Sequence, residues 1–136
     1  MNIWIVALII FIFLDLTIVA FIIYKRKFNS RLDDKSLYYI QSHWIKIIDS
    51  FQSHPKNAIL DADKLLDYAL KKHGYTGTVG EKLKKSASKF SSLDGIWSAH
   101  KLRNKVAHEL GDVNNIAAKK ALKNFKRALN DLGAKL

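Results

Sequence analysis

Arg103, Asn104 and His108 are the residues of this chain best suited to chemistry. They stand in the run Arg103-Asn104-Lys105-Val106-Ala107-His108, inside a segment whose pattern predicts a helix. An arginine grips a phosphate oxygen through its planar fork, and a histidine moves a proton near neutral pH. Together they outline a pocket for a phosphodiester. Arg103 would hold the phosphate. His108 would act as general acid or base on a ribose 2′-hydroxyl or on the leaving oxygen. Asn104 would orient His108 or the phosphate, and His100 would be an accessory.

The helix that must position them departs from ordinary patterning. At ~100° per residue, Leu93, Ile96, Trp97 and Ala107 define one side. His100 and Asn104 fall in the middle of that side, with Arg103 and His108 on its flanks, while Ser98, Lys101, Lys105 and Glu109 face away. His100, Asn104 and His108 thus draw a polar line at i, i+4 and i+8 through the expected buried stripe. One reading is a buried hydrogen-bond network locking this helix to its neighbours, because unpaired polar groups there cost about 1–3 kcal/mol each. The other is a polar cleft at a helix–helix or subunit interface. In that case Arg103 is an uncompensated charge in an empty site, and replacing Arg103 or His108 by alanine should leave the fold intact.

Other chemistries find less support. The chain has no cysteine, so disulfides and thiolates are excluded. His43, His54, His73, His100 and His108 show no compact metal spacing beyond the long interval between the last two. Gly74-Tyr75-Thr76-Gly77-Thr78-Val79-Gly80 lacks the Lys-Ser/Thr that would complete a phosphate loop. Ser91 and Ser92 have no evident base. No metal or cofactor is expected.

The remaining pattern is helical throughout. Leu37, Ile40, Trp44, Ile47, Ile48 and Phe51 recur at three- and four-residue steps. Pro55 suits the first turn of a second helix, whose buried face runs from Ala58 to Leu70 and which Gly74 ends. Thr78-Val79-Gly80-Glu81 fits a capping box for a short helix reaching about Phe90. The motif helix runs from Leu93 to Leu110, and a last helix from Asn115 to Leu132. On that last helix Lys119, Lys120, Lys123, Lys126 and Arg127 crowd the face opposite Ala118, Ala121, Leu122, Phe125 and Leu129. Such a stripe is either a solvated face or a surface for a polyanion, RNA or anionic lipid. The balance of 23 Lys+Arg against 12 Asp+Glu gives a net charge of +11, which suits a polyanionic partner.

Ile3 to Tyr24 is apolar apart from Asp15 and Thr17. At ~1.5 Å per residue it spans the roughly 30 Å hydrocarbon layer of a bilayer. Lys25, Arg26 and Lys27 follow, so the positive-inside bias predicts an N-terminus outside and a cytoplasmic C-terminal part, in a single-pass arrangement. A cleaved signal peptide would want the charge before the apolar run and small residues after it. Asp15 either faces a partner helix or another copy, or is protonated, or is simply carried by its apolar neighbours. The expected organisation is an all-α chain. A membrane helix covers residues 3–24, a basic juxtamembrane linker residues 25–34, and a bundle of about five helices residues 35–136.

Arg103-Asn104-Lys105-Val106-Ala107-His108 resembles the signature of the HEPN superfamily: an arginine, a polar residue, three variable residues and a histidine. These are small helical domains that include many prokaryotic endoribonucleases and some non-catalytic scaffolds. The resemblance extends loosely over Asp34 to Leu136. It implies that Arg103, Asn104 and His108 are the site, that no metal is used, that the ribose 2′-hydroxyl attacks, and that a homodimer builds the site across its interface. The alternative is a non-enzymatic module that binds nucleic acid, anionic lipid or an acidic protein. The membrane helix lies outside the core such domains share.

Overall fold

A computed structural model describes residues 1–28 and 31–136; of Arg26, Lys27 and Phe28 it describes the backbone alone. The chain divides into two units, Met1–Arg31 and Leu32–Leu136. Every described element is helical.

The first unit is one helix, α1 (Ile3–Phe28). Its stretch Ile3–Lys25 is 23 residues long and apolar enough to cross a membrane. Asp15 lies near the middle of that stretch and is exposed. The Thr17 hydroxyl donates to the Leu14 carbonyl at 2.7 Å, so it needs no solvent to satisfy it. The helix runs four residues past Tyr24 and takes in Lys25, Arg26 and Lys27, where a linker was expected. Nothing in Lys25-Arg26-Lys27-Phe28 breaks a helix, since lysine and arginine are good helix formers and no glycine or proline intervenes. The side chains of Arg26 and Lys27 lie outside the described residues, as do Asn29 and Ser30 of the expected linker.

The second unit is a bundle of α2 (Asp34–Ser50), α3 (Pro55–Lys72), α4 (Val79–Lys85), α5 (Leu93–His108) and α6 (Asn115–Asp131). Pro55 sits in the first turn of α3, and Gly74 takes φ +85° just past its end, a conformation that costs glycine nothing. The capping box at α4 is complete: Glu81 N–H donates to Thr78 Oγ1 at 3.2 Å, and Thr78 N–H donates to Glu81 Oε2 at 3.0 Å. A short 3₁₀ turn, Ala87–Lys89, follows α4. The motif helix stops at His108, before Leu110, and Lys56 at the start of α3 donates to the Glu109 carbonyl that the helix end leaves open. Asn114 caps α6 by accepting from the amides of Ile116 and Ala117.

The core forms around α3, which packs against α2, α5 and α6, while α5 also packs against α6. Ala58, Ala62 and Ala69 let those neighbours come close. At Gly95 a Cβ would stand 2.9 Å from Asn124 Oδ1, so α5 and α6 touch there without room for a side chain. Hence α2 and α5 flank the α3–α6 pair from opposite sides. Phe125, Leu66, Leu70 and Leu129 are fully buried between the helices, and truncating the phenylalanine would cost about 3–5 kcal/mol.

His73, just past α3, fastens the far end of α6. Its Nε2 donates to the Leu132 carbonyl at 2.8 Å, and its Nδ1 is buried without a partner. Burial holds the imidazole below its ordinary 6.5; the Leu132 carbonyl opposes that and Lys89 adds to it. The unfolded chain therefore takes up this proton at a higher pH than the folded one. Stability is complete above the ordinary value and is lost as pH falls from there through the lowered one. We expect a melting midpoint that declines as pH is taken from about 7 to 5, and a flatter profile in His73→Gln, whose amide can still donate to Leu132. A decline identical in the two proteins would remove His73 as its cause.

Candidate functional site

The motif residues of α5 meet a group that sequence reasoning missed: Asp63 of α3, only 2% exposed. His100 Nδ1 donates to Asp63 Oδ1 at 2.8 Å. Arg103 Nε stands 3.3 Å from Asp63 Oδ2. That nitrogen is buried and its N–H is not aimed at the carboxylate, so the contact is an ion pair without a hydrogen bond. Arg103 then donates from its terminal nitrogen to Asn104 Oδ1 at 3.0 Å, and the Asn104 amide donates to His100 Nε2 at 3.4 Å. The four side chains close a ring. Its polarity sets the tautomer: Nδ1 of His100 carries the proton, and Nε2 accepts. The Trp97 ring meets the His100 ring edge-on at 6.1 Å.

This ring ties α5 to α3, as the network reading requires, and it compensates the Arg103 charge that the cleft reading left free. The helix is also turned relative to expectation. Its buried face is Ile96, Ala99 and Val106, while Ala107 is exposed and Leu93 and Trp97 are half-buried. The small Ala99 and branched Val106 pack against the bundle, and that rotation moves Asn104 and His108 out to solvent. Asp63 gave a signal of the same kind as His100: a charged residue between Ile59 and Leu66 on an otherwise apolar stripe.

His108 is the exception in the motif. It is the last residue of α5, it is exposed, and among the described residues it has no hydrogen-bond or ion-pair partner. The Arg103 side chain is 32% exposed. Because its Nε is buried, that exposure belongs to the rest of the side chain. The motif therefore offers solvent a positioned arginine and a free imidazole, the pair needed to hold a phosphate and move a proton. Among the described residues no cluster of three His, Asp or Glu side chains could hold a metal.

The basic residues of α6 lie elsewhere. Lys119, Lys123 and Lys126 rim a groove against α2, whereas Asn124 and Asp131 of the same helix face Gly95 and Ser91 at the start of α5. Motif and groove are thus on opposite sides of the bundle. Lys120 and Arg127 are exposed, and none of these five cations has an ion-pair partner among the described residues. No family model matches the chain, and neither the curated proteins nor the solved structures contain a match to it.

Proposed function

We propose that the chain is a membrane-anchored helical domain of the HEPN type that cuts RNA on the cytoplasmic side, with Arg103, Asn104 and His108 as its site. The observation that carries the reading is the division of labour in the motif: Arg103 and Asn104 are held in place through Asp63, while His108 stands free in solvent. A site that must meet a substrate needs both a fixed framework and an unengaged proton carrier. In the reaction the ribose 2′-oxygen attacks phosphorus and the bond to the 5′-oxygen breaks. The 2′-hydroxyl loses its proton and the leaving oxygen gains one, His108 serving one of the two transfers. The ends left are a 2′,3′-cyclic phosphate and a 5′-hydroxyl. Leu110 and Ile116, exposed just beyond His108, give a second copy an apolar edge to cover, which favours a homodimeric site.

The test is cleavage of total RNA by the full chain in lipid nanodiscs. Cyclic phosphate ends should form with wild type and vanish with His108→Ala. If Arg103 and His108 act across a dimer, mixing Arg103→Ala with His108→Ala should restore part of the activity. Absence of cleavage by wild type, or full activity in His108→Ala, overturns the reading. A second reading, a non-enzymatic interaction module, is favoured by the closed ring on Asp63, which already pairs Arg103 within one subunit. It predicts an inert wild type whose His108→Ala variant is indistinguishable from it.

A further inference from the structure

The groove between α2 and α6 has an unusual make-up for a solvated face. Trp44, Ile48, Phe51 and Leu122 form an apolar floor, Lys119, Lys123 and Lys126 form the rim, and the space is about 290 Å³. Further apolar side chains are exposed along α2: Ile48 is 45% exposed, Ile45 60% and, two turns before Ile45, Tyr38 74%. A lysine row by itself is a solvated face, but water does not explain two isoleucines and a tyrosine exposed on α2. A phosphate backbone would meet the lysines and leave Ile45 and Ile48 without a partner. An anionic leaflet meets both, with phosphates at the ammonium groups and the upper acyl region at the isoleucines.

We propose that the α2–α6 face is a docking surface for the anionic lipids of the membrane that α1 crosses. The inference rests on reading α1 as a span, and the tether supports it. Only residues 29–33 separate α1 from α2, a reach of at most about 18 Å when fully extended. A weak surface attraction is then effectively intramolecular. Docking by this face leaves the motif, on the other side of the bundle, open to solvent.

The absence of cysteine allows a direct test on the full chain in nanodiscs. Ile45→Cys carries one polarity-sensitive fluorophore, and Lys101→Cys, on the exposed outer face of α5, carries it as a control. Discs are made of phosphatidylcholine alone or with one third phosphatidylglycerol. We expect a blue shift for the label at position 45 in anionic discs only. High salt should reverse it, and so should the combined Lys119→Gln, Lys123→Gln and Lys126→Gln change, with helicity retained. The label at position 101 should not shift. Co-elution with discs but no shift, or equal shifts in both lipids or at both positions, overturns the docking alone. Failure to co-elute overturns the span and the docking with it. If the triple change abolishes binding of a single-stranded RNA oligomer while lipid composition has no effect at position 45, the groove is an RNA site and the proposal falls.

Discussion

Replacing Asp67 by alanine is expected to cost about 3–5 kcal/mol, the penalty for stranding a buried charge. Lys82 of α4 is the stranded partner: its side chain is 1% exposed and its ammonium pairs with Asp67 Oδ1. Lys71, mostly exposed, holds the other carboxylate oxygen at 2.7 Å. Burial pushes the Asp67 carboxyl up, but the hydrogen bonds and charges of Lys71 and Lys82 outweigh it and hold the group below its ordinary 3.8. Its contribution is therefore present above that ordinary value and is lost as pH falls through the lowered one. Each 1 kcal/mol lowers the melting midpoint by roughly 4 °C or more in a bundle of this size, so Asp67→Ala should lose well over ten degrees. Lys82→Met removes the charge instead of stranding it, and the double variant Asp67→Ala with Lys82→Met should recover most of the loss. Thermal melts of the full chain in detergent measure all three. An Asp67→Ala protein that melts within a few degrees of wild type would show that water reaches Lys82.

The pair also shows which parts of this structure could be read from the chain. Elements set by local chemistry were legible: the apolar length of α1, Pro55 opening α3, Gly74 closing it, the Thr78–Glu81 box, and the two-faced α6. Each depends on residues within a few positions of one another. Asp67, Lys82 and Asp63 become meaningful only once α3 lies against α4 and α5. Lys82 in particular sits in a short helix with three other lysines in or beside it, where nothing local distinguishes the buried one from the solvated ones. The rotation of α5 was hidden for a related reason. Leu93, Trp97 and Ala107 outline one plausible face and Ile96, Ala99 and Val106 another. The choice is made by how closely α6 approaches Gly95, a tertiary fact. The polar line through His100 and Asn104 was visible, and Asp63 stood out on the apolar stripe of α3, but nothing local said that the two would meet.

The anchor on Asp63 separates the members of the motif by their effect on stability. Asp63→Ala leaves the His100 donor without an acceptor and the Arg103 guanidinium without its counter-charge, and should cost about 3–5 kcal/mol, since one of the abandoned groups is charged. Arg103→Ala leaves Asp63 its hydrogen bond from His100 and removes a charge that is partly exposed, so a loss of about 1–3 kcal/mol is expected. His108→Ala removes an exposed side chain with no partner among the described residues, and should change stability by less than about 0.5 kcal/mol. The order of melting midpoints is then His108→Ala highest, Arg103→Ala next and Asp63→Ala lowest. Set beside the RNA assay, the order gains mechanistic force. A His108→Ala protein that melts like wild type and cuts nothing has lost a proton carrier and no support. An Asp63→Ala protein that loses both has lost the support on which Arg103 depends. If His108→Ala melts as low as Asp63→Ala, His108 belongs to the network, and the motif is a brace between α3 and α5 with no residue left over for chemistry.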